Sequence, residues 1–91
     1  MEGSAGGASP VRLLMRSYCH LCEEMEAVVA PLLAAAGLPL ERVDVDADPA
    51  LEERYGWDVP VLLHGAAVIC RHRADAAAVR AWLADLKPRN C

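Results

Sequence analysis

The chain has no phenylalanine, and aromatic residues make up only 4% of its 91 residues. Valine, leucine and isoleucine must therefore fill most of its core, and at this length they can fill one core in one small domain. A hydrophobic share of 55% and a charged share of 24% are typical of a globular chain. Four aromatic residues are expected to add bulk to the core: Tyr18, Tyr55, Trp57 and Trp82.

The sequence also lacks a cluster of basic residues and a long apolar run. Its formal net charge is −4, and a nucleic-acid surface needs grouped lysine and arginine, so we expect no nucleic-acid partner. No run approaches the roughly 18 apolar residues of a membrane span, and the N-terminus lacks the cation and the apolar stretch of a signal peptide. We therefore expect a cytoplasmic protein with no membrane partner, and its small size and net charge favour a monomer.

The N-terminal half of the domain predicts a strand followed by a helix. The apolar run at 11–16 has the length of a buried strand. The apolar residues that follow recur at helical spacing, and we expect Pro31 to kink this helix and Gly37 to end it. The expected buried stripe of the helix consists of Leu21, Met25, Val28, Val29 and Leu32.

The rest of the chain predicts further strands and helices. Asp48 and Pro49 suit the N-cap and the first turn of a helix, and His64-Gly65 suits the turn of a hairpin. The predicted elements are a strand over 40–46, a helix over 48–55, a hairpin over 59–71, and a helix that Asp75 caps and Pro88 ends.

The element order βαβαββα predicts an α/β fold with a four-stranded mixed sheet flanked by helices. The first strand–helix–strand unit implies a parallel pair with a right-handed crossover, whereas the hairpin is antiparallel. We expect a disordered N-terminal tail at 1–10, one domain at 11–87 and a C-terminal tail at 88–91.

Cys19 and Cys22 lie at the predicted start of the first helix. Unpaired backbone N–H groups and partial positive charge at a helix start favour a thiolate, so we expect a lowered pKa for the Cys19 thiol. Arg16 and His20 can add positive charge beside it. Cys22 lies one helical turn later and can attack a mixed disulfide on Cys19, so the spacing suits a redox pair.

Two other roles for the pair stay open. A structural zinc site needs four ligands, and Cys70 with His72 would complete the set, although the spacing is not that of a familiar zinc finger. An inert pair of thiols is the other alternative. In a reducing compartment we favour the redox role. Cys70 itself fits a small apolar strand residue that shares a face with Val68, and Cys91 an exposed chain end.

These residues give the chain a family resemblance. It resembles the thioredoxin superfamily and, more narrowly, small glutaredoxin-like proteins whose cysteine motif is Cys-His-Leu-Cys. The stretches "CHLCEEM", "VDVDADPALEERYGWDVPVLLHG" and "VRAWL" carry the resemblance, which covers about 11–87. It implies a thioredoxin-like fold and a dithiol–disulfide oxidoreductase, in which the Cys19 thiolate attacks a disulfide or a glutathione mixed disulfide and Cys22 resolves it.

The resemblance also implies a substrate site. Pro60 matches a cis-proline that lies against the cysteine pair, and Val59 would offer its backbone to a peptide or to glutathione. Asp75 matches an aspartate that holds the γ-glutamyl group of glutathione, and Arg16 matches a basic residue that meets a glutathione carboxylate. His20 is the remaining candidate for substrate contact.

The chain departs from typical glutaredoxins in two places near this site. It has Asp58 where they carry threonine, and it lacks the Gly-Gly pair before Asp75. We expect protein or glutathione disulfides as partners, with glutathione as a candidate co-substrate and no bound cofactor or metal. Trp57 is expected to pack, with a place beside the substrate as its alternative. The alternative function is a non-catalytic binding module of the same fold, with idle or zinc-holding cysteines.

Overall fold

The computed structural model describes residues 10–86. Residues 1–9 of the predicted N-terminal tail and the predicted C-terminal tail at 88–91, with Pro88 and Cys91, lie outside the described residues. Three helices and four strands follow the predicted order. They are β1 (Val11–Met15), α1 (His20–Ala35), β2 (Leu40–Asp44), α2 (Pro49–Tyr55), β3 (Val61–His64), β4 (Ala67–Arg71) and α3 (Ala76–Leu86), with a short 3-10 helix (Val45–Ala47) between β2 and α2.

The strands form one mixed sheet in the order β2-β1-β3-β4. β1 and β2 are parallel, whereas the β1–β3 and β3–β4 pairs are antiparallel. This confirms the predicted α/β fold with a four-stranded mixed sheet flanked by helices. Leu14 pairs with Val61, so the chain that leaves β1 and the chain that enters β3 meet at one edge of the sheet.

The core consists of two apolar clusters, one on each face of the sheet, and neighbouring side chains of the central strands point into different clusters. Leu13 lies in the larger cluster with Met25 and Val29 of α1. Leu14, the next residue, lies in the smaller one, against which Leu51 of α2 packs. β1 is therefore buried on both faces, which explains why its sequence is a continuous apolar run rather than an alternating one.

α1 buries a different stripe from the predicted one. Leu21 and Val28 are 44% and 36% exposed, so the prediction was wrong for these two residues. The helix runs through Pro31 to Ala35. Most residues from 27 to 36 are apolar, so the sequence pattern does not select a single face. The buried side chains are Cys22, Met25, Val29 and Leu33, at i, i+3, i+7 and i+11.

Two of the four aromatic residues expected in the core are on the surface. Tyr18 is 103% exposed and Trp57 is 94% exposed, so the prediction that they pack was wrong. Tyr55 packs against the smaller cluster. Trp82 packs against the larger cluster and meets the His64 ring edge-on, with centroids 5.0 Å apart. Aliphatic residues therefore supply most of the core volume.

A bulge between β3 and β4 corrects the predicted placement of Cys70. Leu62 pairs with Cys70 and Leu63 pairs with Val68, which leaves Ile69 as an extra residue. Cys70 consequently packs against the larger cluster and Val68 against the smaller one. The two do not share a face. Burial raises the pKa of the Cys70 thiol.

Capping side chains fix the element boundaries near the predicted positions. The Asp48 carboxylate accepts hydrogen bonds from the N–H groups of Ala50 and Leu51, and Asp75 Oδ1 accepts one from the N–H of Ala78 at 3.0 Å. β2 is shorter than predicted because Asp44 Oδ1 accepts from the N–H of Asp46 at 2.9 Å, which opens the 3-10 helix. Among the helices of residues 10–86, none is long and apolar enough to cross a membrane.

Candidate redox site

Cys19 and Cys22 form a disulfide at the start of α1, with Cα atoms 5.2 Å apart. Cys19 is the N-cap residue of the helix and is partly exposed. Cys22 is fully buried among the side chains that pack under α1. The pair therefore has one sulfur that an incoming molecule can reach and one that the fold protects.

The helix start provides a hydrogen bond to the accessible sulfur. The N–H of Cys22 donates to Cys19 Sγ at 3.1 Å, and the N–H of Glu23 donates to the Cys19 carbonyl at 3.2 Å. Cys19 thus occupies the position in which serine, threonine or aspartate usually caps a helix. After reduction, the same N–H and the positive end of the helix dipole are placed to stabilise a thiolate there.

Side chains of mixed charge flank the pair on the helix surface. His20 is the first residue of α1 and is exposed, as are Glu23 and Glu24. Solvent screens charges at such positions. The backbone N–H of Cys22, which solvent does not separate from the sulfur, therefore has more influence on Cys19 than these exposed charges.

Arg16 has three partners away from the cysteine pair. Its guanidinium donates to Asp46 Oδ1 at 2.9 and 3.1 Å, to Glu52 Oε2 at 3.1 Å and to the carbonyl oxygen of Gly56 at 3.2 Å. The hydrogen bond to Asp46 raises the pKa of the guanidinium. Arg16 therefore ties the segment that leads to Cys19 to the 3-10 helix, to α2 and to the turn before β3.

Val59 and Pro60 lie at the edge of the sheet where β1 ends. Pro60 is buried and precedes Val61, which pairs with Leu14. The Val59–Pro60 peptide bond is cis. The Pro60 carbonyl accepts a hydrogen bond from the N–H of His72 at 2.8 Å. The segment that enters β3 is thus fixed on one side by its pairing with β1 and on the other by a hydrogen bond from the residue that follows β4.

Asp58 is a site residue whose partners the sequence did not reveal. Its carboxylate meets Arg71 Nη1 at 3.3 Å and His72 Nε2 at 3.1 Å. His72 has a φ of 73°, in the left-handed region. The signal that could have found this cluster is the hairpin register, because Arg71 pairs with Val61 and so returns the chain to the residues just before β3.

The other candidates have separate environments. The Asp75 carboxylate caps α3, and its role toward glutathione stays a prediction. Within residues 10–86, no three or more His, Cys, Asp or Glu side chains are grouped as a metal site would require. His72, which the zinc alternative would need as a ligand, has its Nε2 atom 3.1 Å from Asp58 Oδ1.

An open cleft lies beside the segment that leads to Cys19. Its volume is about 300 Å³, and it is formed where the parallel strands β1 and β2 end. An ion pair from Arg42 to Glu26, 3.5 Å long, links β2 to α1 nearby. The residues that line the cleft are Met15, Arg16, Ser17, Arg42 and Asp44.

Comparison with known proteins finds a family model and several solved structures that are similar to this chain. The model of the glutaredoxin-like domain (DUF836) matches residues 10–84. The solved structure of protein XcR50 from X. campestris is 37% identical, with a TM-score of 0.62 over 86% of this chain and 99% of that one. Protein Ne2328 from Nitrosomonas europaea is 27% identical, with a TM-score of 0.70 over 90% of this chain and 98% of that one.

A thioredoxin is also among the similar structures. The germline-specific thioredoxin Deadhead from Drosophila melanogaster is 25% identical, with a TM-score of 0.59 over 85% of this chain and 79% of that one. No match among curated proteins reaches significance. The family match spans both cysteines, the segment before β3 and most of α3, which confirms the resemblance drawn from the sequence: the chain belongs to the glutaredoxin-like domain family (DUF836) and has a thioredoxin-like fold.

Proposed function

We propose that this protein is a dithiol–disulfide oxidoreductase. The observation that carries the proposal is the asymmetry of the pair: Cys19 is partly exposed at a helix start, and Cys22 is buried one turn behind it and bonded to it. A nucleophile must reach its substrate, whereas a resolving thiol needs to reach only the nucleophile.

The reaction begins from the reduced pair. The Cys19 thiolate attacks one sulfur of a substrate disulfide, forms a mixed disulfide and expels the other sulfur as a thiolate that takes up a proton. Cys22 then loses its proton and attacks Cys19 Sγ, which forms the Cys19–Cys22 disulfide and expels the second substrate thiolate. Two electrons pass from the protein to the substrate, and two molecules of an external thiol such as glutathione restore the dithiol and leave as their own disulfide.

The helix start supports the first step. The N–H of Cys22 lies 3.1 Å from Cys19 Sγ, and a hydrogen bond to a thiolate is stronger than one to a neutral sulfur. The helix dipole acts in the same direction. We therefore propose that the Cys19 thiol titrates below the usual value for cysteine, which raises the thiolate fraction at neutral pH.

The first experiment is a redox titration of the full chain. The protein is equilibrated in glutathione buffers of graded potential, quenched with an alkylating reagent and digested for mass analysis. We expect a reversible Cys19–Cys22 disulfide with one midpoint, and this midpoint separates a reductant from an oxidant. A pair that does not oxidise reversibly, or that retains zinc on purification, would favour the binding module.

Cysteine variants separate the two roles. Cys19→Ser should abolish disulfide reduction, whereas Cys22→Ser should accumulate a mixed disulfide on Cys19 that mass analysis detects. Cys70→Ala is the matched control, because Cys70 lies on β4 and has no part in the proposed exchange. Unchanged turnover in Cys19→Ser would refute the assignment.

We also propose that the protein works in the cytoplasm and without a bound cofactor. A reducing compartment keeps an accessible dithiol in the reduced form that the first step requires. Measuring the redox state of the pair in rapidly acid-quenched cells tests this, since a pair found fully oxidised there would contradict it.

A further inference from the structure

We propose that Cys19 acts on disulfides of polypeptides with basic residues beside the disulfide, in preference to glutathione disulfides. The inference rests on the proposed function and specifies its substrate class. In the step itself, the dithiol loses two electrons and becomes the Cys19–Cys22 disulfide, and the polypeptide disulfide gains them and becomes two thiols.

The first observation is a set of three exposed apolar side chains on the segments next to the cysteine pair and before β3, which we call the apolar surface: Tyr18, Leu21 and Trp57. Tyr18 is 103% exposed, Trp57 is 94% exposed and Leu21 is 44% exposed. Large side chains of this kind normally pack in the core, and this chain has only four aromatic residues, two of which lie on the surface here. Tyr18 also has a φ of 60°, which is unfavourable for a residue with a Cβ. Exposed aromatic residues grouped at one place indicate a binding surface.

A contact of the Arg16 side chain connects the segment that carries Tyr18 to the segment that carries Trp57. Arg16 donates to the Gly56 carbonyl at 3.2 Å. Tyr18 is two residues after Arg16, and Trp57 directly follows Gly56. Since two residues span at most about 7 Å, Tyr18 starts from backbone close to that of Arg16, and Trp57 starts from backbone next to the carbonyl that the Arg16 side chain binds. Leu21 lies on the other side of Cys19, in the first turn of α1.

A polypeptide is the occupant that fits this surface. Aromatic side chains supply much of the binding energy in polypeptide interfaces because they offer large rigid contact areas. A small molecule such as glutathione buries too little surface to contact both Tyr18, which precedes Cys19, and Trp57, which precedes β3. An extended chain that lies along the segment before β3 can reach both.

Charge selects the kind of polypeptide. The segments around the disulfide, residues 16–24 and 44–58, contain eight carboxylates and two arginines. Arg71 compensates one of these carboxylates, Asp58, and Arg42 lines the same cleft as a second one, Asp44, so the carboxylates remain in excess. The edge of the sheet that carries Cys19 is therefore acidic, and its field attracts a basic chain.

The same charges disfavour glutathione, which is negatively charged at neutral pH. Arg16, the arginine that precedes the cysteine pair, already meets the carboxylates of Asp46 and Glu52 and the Gly56 carbonyl. A glutathione carboxylate would have to displace one of these partners. The surrounding acids would oppose its approach.

A single-turnover comparison tests the inference on the full chain. The reduced protein is mixed with three disulfides: a cyclic peptide with two flanking lysines, the same peptide with two flanking glutamates, and oxidised glutathione. Acid quench and alkylation follow the formation of the Cys19–Cys22 disulfide. Each rate is divided by the rate of the same disulfide with dithiothreitol, which removes differences in intrinsic reactivity.

We expect the lysine peptide to react about tenfold faster than the glutamate peptide at low ionic strength. This ratio should shrink toward one at about 0.5 M salt, where the Debye length is only a few ångströms. Oxidised glutathione should react more slowly than the lysine peptide. A glutamate peptide or oxidised glutathione that reacts as fast as the lysine peptide would overturn the inference and leave the proposed function standing.

Variants of the apolar surface test the docking. Trp57→Ala and Tyr18→Ala should each slow the lysine peptide about tenfold, the loss typical of an aromatic contact residue, and leave oxidised glutathione unchanged. Both side chains are exposed, so the thermal midpoint should also stay unchanged. Leu86→Ala is the control, since Leu86 is 42% exposed at the end of α3 and should alter neither rate.

Two further outcomes would distinguish a failure of the proposed substrate class from a failure of the proposed oxidoreductase function. An equal loss with all three substrates would mean that Trp57 and Tyr18 act on Cys19 itself rather than on a polypeptide, which overturns the inference. If none of the three disulfides oxidises the pair, the proposed function fails, and the substrate class fails with it.

Discussion

Gly56 is the position where backbone preference and packing predict opposite effects of one substitution. It ends α2 with φ −56° and ψ −32°, a right-handed helical conformation open to any L-residue. Alanine is favoured over glycine in such a conformation by about 0.8–1.0 kcal/mol. Backbone preference alone therefore predicts that Gly56→Ala raises the free energy of unfolding.

Packing predicts a net loss of stability. A Cβ at this position would lie 2.5 Å from the carbonyl oxygen of Glu52 and 3.4 Å from Arg16 Nη2. The oxygen is a backbone atom and cannot rotate away, and it also accepts the Gly56 N–H at 2.8 Å. Overpacking of this kind costs about 1–3 kcal/mol. Because the clash is with a backbone atom, we expect a cost in the upper part of this range, about 2–3 kcal/mol, which exceeds the gain and leaves the variant less stable by about 1–2 kcal/mol.

Denaturant unfolding of the oxidised protein measures this loss, and Tm should fall by about 4–8 °C for each kcal/mol in a domain of this size. Gly37 is the matched control, because it has φ 75° and a Cβ added there would meet no atom within 4 Å. Asparagine tolerates the left-handed region, so Gly37→Asn should be milder than Gly37→Ala. At Gly56 asparagine should be no milder than alanine, since either residue brings the clashing Cβ. A Gly56→Ala protein as stable as the parent would refute the packing argument.

Three further substitutions test the site and the core. Asp58→Asn removes the ion pair with Arg71, and because both groups are partly exposed, we expect the free energy of unfolding to fall by at most about 1 kcal/mol. We also expect slower thiol–disulfide exchange at Cys19. Unchanged exchange would show that Asp58 does not position the segment before β3. Met25→Ala empties a fully buried position and should lower the free energy of unfolding by about 2–5 kcal/mol. Val28→Ala, at a partly exposed position of the same helix, should lower it by less than about 1 kcal/mol. Denaturant unfolding measures both. Burial raises the pKa of the Cys70 thiol, so as the pH rises this thiol loses its proton in the unfolded chain before it does so in the folded one. The stability of the fold should therefore decline above about pH 8.5. Cys70→Ala should flatten that decline in a series of thermal melts, and an unchanged decline would show that Cys70 is not its cause.

The order of elements could be predicted because each one carries a local signal. Asp48-Pro49 caps α2 and His64-Gly65 lies at the hairpin turn, as expected from the chemistry of these residues. The N-cap position of Cys19 also followed from local pattern. These features depend on neighbours within a few residues, which a sequence displays directly.

The partners of the charged site residues could not be predicted in this way. Arg16 meets Asp46, Glu52 and Gly56 across 30, 36 and 40 residues of sequence. These contacts exist only because the sheet and α2 bring distant segments together. The exposure of Trp57 has the same origin, since an apolar side chain in a sequence says nothing about whether the fold leaves room for it inside.

Arg16 shows why position in a motif is a weak guide to the role of a charged residue. The resemblance places a ligand-binding cation before the cysteines, and Arg16 has that position. A guanidinium has five N–H donors in a fixed plane, and here four hydrogen bonds direct them toward two carboxylates and one carbonyl. A ligand carboxylate can bind Arg16 only by breaking contacts that hold the turn before β3. Arg16, which holds the turn before β3, is therefore poorly placed to bind a substrate carboxylate, and we propose that the exposed side chains around it make the substrate contacts instead.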